Sequence, residues 1–335
     1  MTASMANDNI ALTDGTRTAA QHLRRWPRTT RRGVQFTLGV LWLLDAALQL
    51  QPFMFTADFA RQVLAPAGQG QPAWVAAPTD YFAGLIAGHP APLNTGFALV
   101  QLALGIGFLL PRLVRPAIVG SLAWAFGIWW FGEGLGGLAT GHASLVTGAP
   151  GAVVLYVVLA LAAWPATDHR DPPDPAEAAV AGWFPAAWAV LWIGGALLQL
   201  LPSQRGTAAL HDQLGSTDGV PGWLASLHHL AANVLRHGGE APFIALVALM
   251  ALVGLAGLAG RPWRTAAAAV GAIAAVAFWV LGQNVGQLYS GQATDPNTGP
   301  LMVLMALALA GAAGAGARAK AGAGPTATTR PAVSP

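Results

Sequence analysis

Apolar residues run along this chain in eight near-continuous stretches of 17–21 residues: 34–52, 93–110, 116–136, 148–164, 182–202, 242–260, 265–285 and 299–317. Crossing a hydrocarbon core of about 30 Å takes roughly 17–25 helical residues, so each stretch predicts a transmembrane helix. Polar segments divide the chain into a basic N-terminal tail 1–33, a first block 34–164, a Pro- and Asp-rich linker 165–181, a second block 182–317 and a disordered tail 318–335. Between the first and second stretches of the second block, Trp223, Leu227, Leu230 and Leu235 recur at helical spacing, with His229, Asn233 and Arg236 on another face. That pattern predicts an amphipathic helix lying in the membrane interface. In the first block the same element runs from Trp74 past Thr79, a candidate N-cap, to Tyr81, Phe82, Leu85 and Ile86.

The two blocks repeat. A shift of 150 residues brings Trp42 onto Trp192, Leu48-Gln49-Leu50 onto Leu198-Gln199-Leu200, Pro52 onto Pro202 and Trp129 onto Trp279. The same shift matches Gly132, Gly136 and Gly141 with Gly282, Gly286 and Gly291, Ala143 with Ala293, and Pro150 with Pro300. Shared Ala/Leu composition does not produce matched Trp, Gln, Pro and spaced Gly. Four spans per copy make the copies parallel, related by a pseudo-two-fold along the membrane normal. The expected fold is all-α and integral to the membrane: two tandem parallel four-helix repeats, about eight transmembrane helices.

Charge orients this arrangement. Fourteen of the 17 basic residues fall in the tails, the linker and the two short connections 111–115 and 261–264; only Arg61, Arg205 and Arg236 fall on the other side. The positive-inside rule places both termini in the cytoplasm. Residues 1–33 are too long and polar for a secretory leader, so the first helix is expected to act as an uncleaved anchor. Heavy Ala, Gly, Pro and Arg usage suggests a GC-rich bacterial genome and hence an inner membrane. No basic stripe interleaved with aromatics points to nucleic acid. With no Cys in the chain, disulfides, thiol catalysis and Cys-ligated metals are excluded.

One span, an amphipathic outer segment and three further spans, with Leu41-Trp-Leu-Leu-Asp45 in the first helix, resemble the DoxX-like four-helix membrane proteins, here in tandem. The resemblance implies quinone-linked sulfur or thiol redox chemistry. In a chain without Cys, any thiol would belong to a membrane or redox partner.

Chemistry is expected at the outer end of the third span of each block. The first copy reads Phe131-Gly-Glu-Gly-Leu-Gly-Gly, followed by Gly141-His142-Ala-Ser; the second reads Leu281-Gly-Gln-Asn-Val-Gly-Gln, followed by Gly291-Gln-Ala-Thr-Asp295-Pro-Asn. Irregular backbone at membrane depth is tolerated only where protein buries it or it lines a cavity. These stretches could form two facing walls of one outward-opening pocket, or a tight loop with small-residue packing. The candidate pocket or ion-pathway residues are Asp45, Glu133, His142, Gln283, Asn284, Gln287, Asp295 and Asn297. Asp45 and Glu133 fall within spans, where a charge needs a partner, a cavity or a proton. The 150-residue shift puts Gly195 and Gln283 at their places. Asp295-Pro-Asn297 reads first as a turn. Six of the eight histidines fall outside, as solvated interfacial residues, and their spacing defines no metal site.

Three function classes follow: an accessory subunit of quinone-linked redox chemistry, a transporter or channel for a small solute, proton or cation, and a scaffold or lipid-interacting protein. None of the three is an enzyme acting alone.

Overall fold

The computed structural model describes residues 30–165 and 179–322, the last ten by backbone alone. The N-terminal tail to residue 29, the linker Asp168–Glu177 and residues 323–335 lie outside the described residues; residues 318–322, expected to open a disordered tail, are helical.

Thr30 opens helix α1 (Arg31–Leu48); its hydroxyl accepts from the Gly33 N–H at 3.1 Å. Val34, Leu38, Trp42 and Ala46 recur every four residues and form one buried stripe, while Phe36, Val40 and Leu44 point outward. Short helical turns over 52–68 lead to α2 (Ala73–Gly88), α3 (Pro90–Leu109), α4 (Val114–Gly127, prolonged by a π-helical turn at Ile128–Gly132) and α5 (Ala152–Ala162). The second half follows with α6 (Phe184–Leu198), a turn of helix at Thr207–Asp212, α7 (Gly222–His237), α8 (Ala241–Leu258), α9 (Arg261–Leu281) and α10 (Thr298–Gly322).

Four segments are long and apolar enough to cross a membrane: Pro90–Leu109, Pro111–Gly132, Ala241–Leu258 and Arg261–Leu281. Their surfaces expose Leu99, Ile106, Val119, Phe126, Ile244, Leu252 and Ile273. Apolar patches on that scale are stable only against hydrocarbon or another protein, so this is a multi-helix membrane protein. The apolar helices α5, α6 and the first part of α10 are shorter. A full span was expected over 148–164, but α5 begins only at Ala152 and has 11 residues, about 16 Å of helix. Its missing length is taken by the irregular stretch 141–151, where Ala143, Ser144, Leu145, Val146 and Ala149 are buried by protein, the condition that irregular backbone at membrane depth requires.

Lipid tails are as apolar as Leu, so close packing, not expulsion of water, holds such helices together. α1 lies on α3 at Gly39 and Gly105, where a Cβ on Gly105 would come within 2.7 Å of Leu43. α6 lies on α8 in the same way, and a Cβ on Gly254 would come within 2.7 Å of Ile193. α4 packs on α5 and α9 on α10; α5 and α10 meet in the middle, and both touch α1. Trp42, Tyr156, Phe184, Trp188, Trp192 and Phe278 belong to the one large core these contacts enclose. A smaller cluster of Met54, Phe59, Leu64, Ala83 and Ile86 fastens the turns of 52–68 onto α2.

α7 is amphipathic as expected: Trp223, Leu227, Leu230 and Val234 form an exposed apolar stripe. Two local expectations change. Thr79 does not cap α2, which already begins at Ala73 behind Pro72; Thr79 is buried inside the helix, its hydroxyl bonded to the Val75 carbonyl at 2.9 Å. His228 is buried rather than solvated, with its Nε2 3.1 Å from the Val280 carbonyl oxygen. The adjacent His229 is exposed, because neighbouring residues diverge around a helix.

Candidate functional site

The Gly-rich stretches after α4 and α9 fold into left-handed turns. Gly134, Leu135, Gly136 and Gly137 have φ of 52°, 55°, 62° and 71°; Asn284, Val285, Gly286 and Gln287 have 49°, 56°, 63° and 53°. L-residues avoid this region, β-branched ones most of all, so surrounding contacts must hold it. Those contacts match. Trp129 Nε1 donates to the Pro150 carbonyl at 2.8 Å, and Trp279 Nε1 to that of Pro296 at 2.7 Å. A Cβ on Gly136 would strike the Pro150 carbonyl, and one on Gly286 that of Pro296. The counterpart of Pro150 is therefore Pro296 and not Pro300: the second loop is four residues shorter, which no shift of the sequence as a whole reveals.

The same correspondence links Glu133 and Gln283. Glu133 Oε1 accepts from the Val153 N–H at 3.3 Å at the start of α5. Gln283 Oε1 accepts from the Gly299 N–H at 3.2 Å at the start of α10. Gln283 uses its other end as well, donating to the Val146 carbonyl in the first half at 3.3 Å. Glu133 Oε2 is buried without a partner.

That oxygen belongs to the lining of a cavity of about 210 Å³. α1 contributes Trp42, Asp45 and Gln49, spaced three and four residues apart and so on one helix face. α3 adds Phe97 and Gln101; α4 and its π turn add Trp124, Ile128 and Phe131; Phe59, Val63, Leu64, Phe82 and Ile86 close over them. Tyr156 of α5 donates its hydroxyl to Asp45 Oδ2 at 2.7 Å. From the second half only Thr294 and Asp295 reach in. The cavity lies inside the first half rather than between the two halves, as the facing-wall expectation had it, because the Gly-rich turns pack on their own helix starts.

Much of the lining is aromatic. Phe82 stacks on Phe131 with centroids 4.8 Å apart, and Phe97 meets Trp124 at 5.5 Å. The lining is also acidic. Asp45 is 2% exposed, and its Oδ1 has no partner; Gln49 and Gln101, each 4% exposed, leave their Oε1 atoms unpartnered beside it. Asp295 has both oxygens engaged, Oδ2 by the Thr294 hydroxyl at 2.8 Å and Oδ1 by the Asn297 N–H at 2.7 Å; this is the expected turn. Burial pushes the Asp295 carboxyl above the usual carboxylate range, although these two bonds favour its charge.

A second cavity, of about 300 Å³, adjoins the first at Glu133 and Asp295 and is lined also by Gly136, Gly137, His142, Thr147 and Asn297. His142 and Thr147 are exposed, so this polar vestibule reaches the surface.

Of the candidate residues, Asp45, Glu133 and Asp295 come together at the cavity, and His142 and Asn297 at its vestibule. Gln283, Asn284 and Gln287 line neither. Gln283 bridges two loops, the Asn284 amide donates to the Ser216 carbonyl at 3.0 Å, and Gln287 holds a left-handed backbone position. The amides of Gln283 and Asn284 serve the loops, and the Gln287 side chain is exposed. Gln49, Gln101 and Tyr156 were not among the residues the sequence singled out for the site, which were the acids within spans and the polar residues of the Gly-rich stretches; single polar residues in apolar runs were the available signal. Among the described residues no three His, Asp or Glu side chains could hold a metal ion together. Comparison with protein-family models, with curated proteins and with solved structures found no match for the chain.

Proposed function

We propose that this is a bacterial inner-membrane protein of two tandem, parallel four-helix units with eight spans and both termini cytoplasmic, whose first unit binds a small solute from the outside as a step in transport. The helix order in each half, one span, an outer amphipathic helix and three further elements, is the order that the DoxX-like resemblance implies. The paired Trp–Pro and Glu/Gln–helix contacts support the duplication. What carries the functional reading is that Asp45, Glu133 and Asp295 converge on one aromatic cavity whose vestibule reaches the surface. A purely structural acid would have both oxygens engaged; those of Asp45 and Glu133 are half free.

A quinone is the second reading, favoured by Trp42, Phe97 and Trp124, whose rings would stack on a flat head group. Quinone carbonyls need donors, which the unpartnered indole N–H groups of Trp42 and Trp124 could give, but four of the six unpartnered polar atoms of this lining are acceptor oxygens, which a quinone would leave unsatisfied.

The absence of Cys from the sequence allows a direct test of access. A cysteine introduced as Val63→Cys, in the cavity wall, should react with a membrane-impermeant maleimide added to intact cells. Leu145→Cys, in the packed core, should not react. Arg112→Cys, at the opposite end of the bundle, should react only after permeabilisation. Labelling of position 63 only in permeabilised cells would overturn the outward-facing site.

A further inference from the structure

Resting on the reading of this cavity as a solute site, we propose that its ligand is a small organic ammonium ion: one protonated amine on an apolar body about the size of a single aromatic ring.

The charge follows from what the lining offers and lacks. Three carboxylates face the cavity, and the lining contains no Lys, Arg or His. Among the described residues the ion pairs are elsewhere, Asp58 with Arg61 and Asp212 with His211. The unpartnered polar atoms of the lining are four acceptor oxygens, Asp45 Oδ1, Glu133 Oε2 and the Oε1 atoms of Gln49 and Gln101, and two indole N–H donors, of Trp42 and Trp124. An ionised carboxylate can only accept, and an ammonium group can only donate, with up to three N–H bonds. An anion would be repelled, and a neutral hydroxyl could satisfy one of these oxygens but not several. The Asp295 oxygens are already engaged, so its part is to add negative potential.

The apolar body follows from the aromatic lining. Phe82, Phe131, Phe97 and Trp124 present ring faces and edges, and a cation beside such rings gains further attraction. A bare metal ion would leave those rings unused and find no cluster of ligands. Size sets the upper limit. An apolar cavity of roughly 150 Å³ holds benzene, and this one measures about 210 Å³, enough for a ring and a two-carbon arm.

The contrast with the other half supports the assignment. There Gln283, a neutral amide, takes the place of Glu133, and Leu145 packs against Gly195, the counterpart of Asp45. The fold needs a hydrogen-bond acceptor at the helix start, and Gln283 supplies it without a charge. The carboxylates are therefore a property of the cavity and not of the scaffold.

The test is calorimetric titration of the full chain in detergent with 2-phenylethylammonium, neutral 2-phenylethanol and phenylacetate. The ammonium ion should bind at least about tenfold more tightly than the alcohol, a difference of about 1.4 kcal/mol, and the carboxylate should not bind. Asp45→Asn and Glu133→Gln should each weaken the ammonium by roughly 10–100-fold, as the loss of a charge-assisted hydrogen bond does, and change the affinity of the alcohol far less. Glu133→Gln keeps the fold by the precedent of Gln283, so it decides the matter if Asp45→Asn fails to fold. Equal affinity for amine and alcohol, unchanged affinity in Glu133→Gln, or binding of none of the three would overturn the ammonium assignment. The solute site itself is judged separately by labelling of Val63→Cys: labelling from outside with no ammonium preference keeps the cavity and discards its ligand class, whereas no labelling from outside discards the cavity.

Discussion

The corner around Glu133 and the corner around Gln283 share a scaffold and differ in chemistry. In both, a left-handed turn follows a long helix, a Trp indole holds a proline carbonyl, and a side-chain oxygen caps the start of a central helix. Around Gln283 both ends of the amide are used, although Asn284 Oδ1 and Thr298 Oγ1 stay buried without a partner, and Leu145 from the first half fills the space against Gly195. Around Glu133 a carboxylate oxygen is left over, Asp45 stands where the other half has Gly195, and the loop of the second half brings Asp295 in place of an apolar plug. Backbone and helix-start contacts define the corner; the residue inserted from the other half decides whether it is solid or hollow. The loops are exchanged elsewhere too: Gln51 donates to the Ala293 carbonyl at 3.1 Å and Gln204 to that of His142 at 2.6 Å.

The largest expected effect tests the solid corner. Leu145 is 1% exposed, so Leu145→Ala should cost about 2–5 kcal/mol, the range for large-to-small substitutions in a core. Thermal melting in detergent would show it, and a shift no larger than that of Val63→Ala in the hollow corner would break the comparison. Next come the glycines that both corners share. Gly136→Ala and Gly286→Ala each force a Cβ against a proline carbonyl at positive φ and should each cost about 1–3 kcal/mol. Similar losses in the same melting assay would sharpen the claim of a common scaffold, and a silent Gly286→Ala would end it.

The smallest effect concerns Asp295, and its sign follows from burial. A carboxyl whose folded pKa is raised contributes its stability below the unfolded value, about 3.9, and loses it as pH rises through the folded value. Asp295→Asn removes the penalty of the charged form and can keep the turn, since an amide oxygen still accepts from Asn297. The variant should therefore melt higher than the parent near neutral pH, by an amount worth about 1 kcal/mol, and the gap should close as pH falls toward 4. A gap that widens in acid would show that the charge stabilises this loop.

Much of the molecule was legible before any coordinates. Long runs of apolar residues without charge located the four membrane-length helices, because hydrocarbon imposes that composition on whatever it contacts. The spacing of Trp223, Leu227, Leu230 and Leu235 marked α7, although the exposed stripe runs through Val234 and leaves Leu235 half-buried. Asp45 and Glu133 stood out by their chemistry, since acids are rare within spans, whereas Asp295 read first as a turn. The shortening of α5 was legible in part, since the fourth stretch is short and Gly148-Ala-Pro150-Gly151 is a poor start for a helix; that Ala143–Val146 before it would be buried as irregular backbone was not.

The sequence by itself determined that this chain lives in a membrane, that its halves share a pattern, and where its unusual charges lie along the chain, for these depend on local composition and period. Only the tertiary structure decided that Asp45, Glu133 and Asp295 meet, that Gln283 and Asn284 are spent on holding loops, and that the hollow lies within the first half. Those outcomes depend on which loop is inserted into which half. Leu145 and Asp295 act on residues about 50 and 250 positions away along the chain, and such pairings are set by the shape of the packed bundle, to which no local pattern of residues has access.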